Sequence, residues 1–303
     1  MSKYLEKTRN RLEKKHDIPR INLVALARRD QTFMSCFQAD LGYIFVSMDV
    51  ISLEPTITAH FSQDPYYKYA TVTGVGTRPY IERDTNTLMI DDIYLMTASR
   101  IPSSAVTVLS YFSNPDNCEQ WLKDSEVCKN HPDIKKARKF AKPACLGFSY
   151  GMGPKKFVNT CYDAGISITY DDAKAMYVAY WGLFKGVKLL ADKLGNLAKK
   201  SGTIINPFGY RLTTEPHKAF NAFIQSSASG VLDVFNLKFF SACPWAKFVA
   251  LIHDEALFTI PENKIEETRI IADTCVESLN KDLGWSTHMR FGFVIGKTFA
   301  DIK

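Results

Sequence analysis

With 303 residues, 46% of them apolar and 23% charged, the chain is long enough for two modest domains or one elongated one, and its composition is that of an ordinary globular protein. No run of about 18 uncharged apolar residues occurs and the first residues are basic and polar, so neither a membrane span nor a secretion signal is expected and the expected location is the cytoplasm. The net charge of +6 is compatible with a polyanionic partner, and the seven scattered cysteines, none in a CxxC pair, argue for reduced thiols and against a zinc site.

Residues 2–16 read as a charged helix that stops near Pro19. Residues 1–20 carry Lys3, Lys7, Arg9, Arg11, Lys14, Lys15 and Arg20 against Glu6, Glu13 and Asp17. A solvated helix face and a docking surface for nucleic acid or protein are even readings of that segment. Residues 43–48, Tyr-Ile-Phe-Val-Ser-Met, are rich in β-formers and end at Asp49, as a buried strand delivering a carboxylate would. Asp91 and Asp92 precede an apolar stretch that suggests a helix. Helical patterns follow over 133–151 and from about 170 to 200. Gly202 to Leu212 reads as a hairpin turning at Asn206–Gly209. A long helix over roughly 216–240 comes next, then a strand at 248–252, a tight turn at His253-Asp254 and a returning strand at 255–260. Residues 262–282 form an amphipathic helix expected to turn Ile265, Ile270, Ile271, Cys275 and Leu279 inward, and 288–295 form a closing strand. The expected class is α+β, an antiparallel sheet backed by helices with a helical excursion inserted between its strands.

Asp49 ends one apolar strand, and Asp254 sits at the tip of an apolar hairpin. Brought together, two such carboxylates could hold a pair of divalent cations for phosphoryl transfer; taken singly, each is more often a turn residue. Arg138, Lys142, Leu146 and Tyr150 step by four, so on a helix they form one slowly drifting stripe. Two cations, an apolar residue and an aromatic suit a nucleoside triphosphate, although a basic rim on an amphipathic helix is the blander alternative. Gly151 after the stripe looks like a helix C-cap. Asn221 and Gln225 lie one turn apart, where neutral amides suit a minor groove.

In this order the pieces resemble the three motifs of family A DNA polymerases, the class of bacterial DNA polymerase I and several phage replicative enzymes. The first motif stands as Asp49-Val50-Ile51-Ser52-Leu53-Glu54-Pro55-Thr56 followed by Ala59-His60-Phe61-Ser62. The second is Arg138, Lys142, Tyr150 and Gly151, and the third is His253-Asp254-Glu255. Pro216-His217 and Asn221 to Ser226 look like the segment of phage members that tracks template–primer. Asn22-Leu23 and Phe33 to Val46 resemble the approach to the first motif. The resemblance covers the chain from about residue 22 to its end.

The resemblance implies a polymerase palm with an inserted, mainly helical fingers subdomain. Its expected bounds are a basic docking segment at 1–20, palm at 21–75, fingers at 76–214 with a nucleotide-binding helix at 133–151, and palm again at 215–303. By resemblance Asp49, Asp254 and the Val50 carbonyl bind two Mg²⁺ ions, with Mn²⁺ as a substitute, and Glu255 lies beside them. Glu54 resembles the gate that excludes a ribose 2′-OH. Arg138 and Lys142 match the triphosphate-binding pair, Lys142 also as proton donor to the leaving pyrophosphate. Tyr150 matches the aromatic beside the nascent base pair, with Leu146 in the same nucleotide-binding set. His217, Asn221, Gln225 and His253 match contacts to DNA. The implied activity is template-directed transfer of a nucleotide from dNTP to a primer 3′-OH, in an infected bacterial host if the phage likeness holds.

The departures are specific. Leu146 stands where Phe or Tyr is usual, Thr56 where Arg is usual, and Tyr94 where a His often meets the triphosphate. Pro143 should kink the nucleotide-binding helix, at a cost of about 3 kcal/mol if uncompensated. Because few residues precede Asp49, a separate chain is expected to supply the thumb and 3′–5′ exonuclease. The alternatives are a non-catalytic, polymerase-like DNA-binding or replisome scaffold subunit and a relative of the single-subunit RNA polymerases.

Overall fold

A computed structural model describes residues 31–163, 167–252 and 254–302. The expected basic helix at 1–20, the Asn22-Leu23 pair and His253 lie outside them. In chain order come α1 (Gln31–Ser35), β1 (Tyr43–Val50), α2 (Leu53–Ser62), the single turn α3 (Pro65–Lys68) and a small ribbon of β2 (Tyr80–Glu82) and β3 (Thr87–Met89). The helical stretch then runs α4 (Ile93–Ala98), α5 (Pro102–Phe112), α6 (Pro115–Lys123), α7 (Ser125–Asn130), α8 (Pro132–Ser149), α9 (Pro154–Asp163), α10 (Tyr170–Leu183) and α11 (Lys185–Ser201). The hairpin β4 (Thr203–Ile205) and β5 (Arg211–Thr213) leads through a 3₁₀ turn at Pro216–Lys218 into α12 (Ala219–Ala242). The hairpin β6 (Lys247–Ile252) and β7 (Glu255–Pro261), α13 (Ile265–Leu283) and β8 (Phe291–Gly296) complete the order. Among the described residues, no helix is long and apolar enough to cross a membrane.

The chain divides into two compact units. The first takes its described residues from 1–49, 243–269 and 292–303. Its sheet has the order β6-β7-β1-β8, with β1 antiparallel to β7 and Tyr43 opposite Pro261 through to Asp49 opposite Glu255. Residues 44–48 of β1 are all buried, so the strand is covered on both faces. That explains why its sequence is a continuous apolar run instead of an alternation. Phe45, Leu257 and Ile302 pack together beneath it, with Ala250 and Phe299 at their margin. The expected strand at 248–252 is present as β6, but it is an edge strand with a bulge between Phe248 and Ala250, and its Val249 and Leu251 are exposed.

The second unit holds 50–242 and 270–291. This division differs from the palm and fingers bounds expected from sequence, because α2, α12 and the segment after α13 pack among the helices. α12 lies against α11 and α2. Thr287 Oγ1 donates to the Thr56 carbonyl at 3.0 Å, and the Trp285 ring stacks on His60 with centroids 5.0 Å apart. At the 206–209 turn, the Asn206 side-chain oxygen accepts from the backbone N–H of Phe208 and of Tyr210, and Gly209 takes a φ of +82°. Phe208 then sits over Gly230 of α12, where a Cβ would collide with its ring.

α8 sends Ile134, Ala137, Ala141, Ala144, Cys145 and Phe148 into the interior. It packs against α4, whose own Leu95, Met96, Thr97 and Ala98 are buried, and the Cys145 thiol donates to Thr97 Oγ1 at 3.2 Å. The helix runs through Pro143 as one continuous element, so the proline removes a backbone hydrogen bond without ending it. Two other expectations are corrected. The helix expected from 170 to 200 is two helices that part at Phe184, whose φ and ψ are −102° and 63°. The break is set by Asp64, buried and distant in sequence. Its Oδ2 accepts the Gly186 N–H at 2.7 Å, while its Oδ1 caps α3 through the Tyr67 N–H at 2.9 Å. In α13 the inward face is Thr268, Ala272, Cys275 and Leu279, a four-three-four spacing, whereas Ile270 is 65% exposed. Ile270 is about 170° around the helix from the centre of that face, at about 100° per residue.

Asp64→Ala removes acceptors from two helix starts at once. The expected loss is about 2 kcal/mol, the sum of two ordinary caps, read as a lowered midpoint in urea unfolding followed by circular dichroism.

Candidate nucleotide site and carboxylate pair

The carboxylate pair lies in the first unit. Asp49 is exposed between the buried Met48 and Val50 of β1, and it sits in register opposite Glu255. Asp254 occupies the turn between β6 and β7, immediately before Glu255, and is half-buried. Neighbouring strands are about 4.8 Å apart, so the register brings Asp49 and Asp254 to the same end of the sheet. Glu255 is 6% exposed and accepts the Ser47 hydroxyl hydrogen at 2.5 Å, which directs one of its oxygens into the sheet. Val50, the next residue of β1, is buried. Hard oxygen donors of this kind suit Mg²⁺, which ordinarily takes one or two carboxylates and keeps the rest of its shell as water or phosphate oxygen. Among the described residues there is no group of three or more His, Cys, Asp or Glu side chains that could hold a metal ion.

The nucleotide-binding candidates lie in the second unit. Beside its buried apolar face α8 carries the drifting stripe of Arg138, Lys142, Leu146 and Tyr150, Lys142 and Leu146 exposed and Arg138 and Tyr150 half-buried. Leu146 and Tyr150 border a cavity of about 40 Å³ together with Glu54 from the first turn of α2 and Tyr67, Tyr94 and Tyr180. Thus Glu54, Leu146 and Tyr150, distant in sequence, share one hollow. Burial keeps these phenols neutral: the Tyr94 hydroxyl is pushed up to about 12, and Tyr67 and Tyr180 are also raised. They serve as hydrogen-bonding groups and not as charges.

Two residues outside the expected set shape the cationic end. Arg138 donates through Nε to Asp92 Oδ2 at 2.7 Å. The Tyr94 ring lies 5.0 Å from the Arg138 guanidinium carbon and 5.8 Å from the Lys142 ammonium. The sequence marks Asp92 only as a helix start and Tyr94 only as a substitution; their pairing with α8 depends on packing. A larger hollow of about 460 Å³ lies along α5 and α8, lined by Ser103, Thr107, Lys136, Lys139 and Phe140, and contains none of the expected site residues.

The end of α8 is tied to the start of α12. Gly151 takes a φ of +82°. Its N–H reaches the Phe148 carbonyl at 3.0 Å and the Met152 N–H reaches that of Gly147 at 2.9 Å, the paired bonds of a Schellman cap. A Cβ at 151 would collide with the His217 carbonyl oxygen, so glycine lets the Tyr150-Gly151 corner rest on the turn at Pro216–Lys218. Just beyond it Asn221 is half-buried, with an Oδ1 that finds no hydrogen-bond partner among the described residues, and Gln225 is exposed. The His217 ring is exposed, 3.6 Å from Glu215.

The model of DNA polymerase family A matches residues 123–301, more than half of the chain. The chain belongs to DNA polymerase family A. This family A chain is 28% identical over 245 residues to the DNA polymerase of Mycobacterium phage D29, covering 79% of this chain and 32% of that protein. It is 27% identical over 188 residues to the DNA polymerase of Escherichia phage T5, covering 51% and 22%. It is 27% identical over 186 residues to DNA polymerase I of Helicobacter pylori strain 26695, covering 53% and 20%. The chain therefore spans a third or less of the length of these relatives. Its fold is similar to the polymerase domain of Pol1 from M. smegmatis, solved with DNA primer-template and dNTP, with a TM-score of 0.66, 19% identity and coverage of 90% of this chain and 43% of that one. The α+β class expected from sequence, an antiparallel sheet combined with a large helical part, is thus the fold of a family A polymerase domain.

Gly151→Ala forces a side chain into a left-handed conformation and against the His217 carbonyl. The expected cost is about 2 kcal/mol or more, measured as a fall in unfolding midpoint relative to Gly153→Ala, whose added Cβ meets no atom within 4 Å.

Proposed function

We propose that this chain carries out template-directed DNA synthesis, joining the α-phosphate of a dNTP to a primer 3′-OH with release of pyrophosphate. The observation that carries the reading is the convergence of Glu54 of α2 with Leu146 and Tyr150 at the end of α8 on one hollow of the second unit, α8 being the helix that also carries Arg138 and Lys142. In this reading the exposed Lys142 and the outer edge of Arg138 hold the triphosphate, and Lys142 gives a proton to the departing pyrophosphate. Glu54 fills the space a ribose 2′-OH would need, which selects deoxynucleotides. Tyr150 takes the face of the nascent pair. Leu146 adds an aliphatic side chain to the wall of the hollow, and Tyr67, Tyr94, Tyr150, Tyr180 and Phe220 supply its aromatic surface.

Asp49 and Asp254 would hold the Mg²⁺ ions, with the Val50 carbonyl as a further donor. When bound, the ions supply activation of the 3′-oxygen and charge neutralisation at the phosphates. Glu255 then works from behind, held by Ser47. Asn221, Gln225 and His217, with His253, meet the primer–template duplex, where uncharged amides read minor-groove acceptors that every base pair presents. We further propose that the thumb and 3′–5′ exonuclease work on a separate polypeptide bound to this one, the basic segment 1–20 serving as the docking element, in the cytoplasm of an infected bacterium.

Primer extension tests the reading. Asp254→Asn is expected to lower single-nucleotide incorporation by about 10³-fold with folding intact, and equal incorporation by both proteins would remove the metal assignment. Glu54→Ala is expected to raise the use of ribonucleotides relative to deoxynucleotides by about 10²-fold; an unchanged ratio would remove the argument for sugar selection.

A further inference from the structure

Asp92 is the buried partner of an arginine whose proposed task is to meet an anion. It is 6% exposed, and both of its oxygens are engaged. Oδ1 accepts the backbone N–H groups of Tyr94 at 2.9 Å and Leu95 at 3.0 Å, which fixes the carboxylate as the cap of α4. Oδ2 accepts the Arg138 Nε–H at 2.7 Å. A guanidinium has five N–H donors in a rigid fork. With Nε committed to Asp92, the Nη1–Nη2 end of the fork, which carries one hydrogen from each nitrogen, faces away from that bond. The Tyr94 ring, which Asp92 also positions through the cap, lies 5.0 Å from the guanidinium carbon and supports the plane of the fork. α4 and α8 pack against each other, so the pairing joins two elements already in contact.

We propose that Asp92 is a positioning residue for nucleotide binding: it holds the Arg138 guanidinium with its Nη edge free, so that an incoming triphosphate meets an oriented fork and does not have to order a flexible one. The inference rests on the reading of Arg138 as a triphosphate ligand. An unanchored arginine samples many rotamers, and ordering it weakens binding; an anchored one has lost that freedom during folding. The same carboxylate partly offsets the positive charge, and the Tyr94 ring limits where the guanidinium can swing. Asp92 thus acts on affinity for the nucleotide and not on the bond-making step.

The test is a double-mutant cycle on the full chain, bound to primer–template with a 3′-deoxy primer terminus so that no turnover is needed. The readout is the Kd for the next correct dNTP. Asp92→Asn keeps an Oδ1 to cap α4 but turns an amide, a donor, toward Arg138. It is expected to raise Kd by about tenfold in the parent, with an unfolding midpoint close to that of the parent. Arg138→Ala is expected to raise Kd by more than this, and adding Asp92→Asn to it is expected to change nothing further. If Asp92→Asn weakens binding as much in the Arg138→Ala background as in the parent, or leaves the parent's Kd unchanged, the positioning role is overturned. If Arg138→Ala itself leaves Kd unchanged, the triphosphate reading of Arg138 falls, and the role of Asp92 falls with it.

Discussion

The helical unit depends on one constraint: α8 cannot turn. Ile134, Ala137, Ala141, Ala144, Cys145 and Phe148 are all buried on it, and it packs against α4, α5, α7 and α10. A helix with one side committed in this way has only one orientation for its other side. The places of Arg138, Lys142, Leu146 and Tyr150, along one border of that buried face, therefore follow from core packing. The cost of Pro143, a missing backbone hydrogen bond, is borne within an element already held by these contacts.

Several polar groups act at two places at once, and this connects local structure to the site. Asp64 caps α3 and the start of α11. Asp92 caps α4 and holds Arg138. Gly151 closes α8 and admits the carbonyl of His217. Each is a residue whose local role, a cap or a turn, is common, and whose second role comes from a distant part of the chain. Removing any of them disturbs two elements, which gives these positions more influence than their size suggests.

The first unit works on a different principle. There the register of β1 against β7 does what a helix face does in the second. Pairing Asp49 with Glu255 places Asp254, the turn residue just before it, at the same sheet end, and the buried run from Ile44 to Met48 prevents slippage because a shift of one residue would exchange the strand's two faces. Ser47, buried within that run, receives Glu255, so the one polar side chain in the strand's interior has a partner.

Periodicity and order made much of this legible from residues alone. The strand ending at Asp49, the four-step stripe on α8, the turn at Asn206–Gly209, the cap at Gly151 and the hairpin carrying Asp254 all follow from short-range rules, and the order of the motifs pointed to the family. What those rules cannot reach is pairing across long separations. The break at Phe184 depends on Asp64, some 120 residues earlier; a continuous helical pattern shows no sign of it. Ile270 looked internal because isoleucine is usually buried, yet the α13 core face is carried by Thr268, Ala272, Cys275 and Leu279. That Tyr94 covers both cations, and that Asp92 takes the Nε of Arg138, was decided only when α4 met α8. Sequence determined which side chains each element offers and in what rhythm. Tertiary structure decided which of them meet, because contact between distant segments depends on shape and burial that no local pattern encodes.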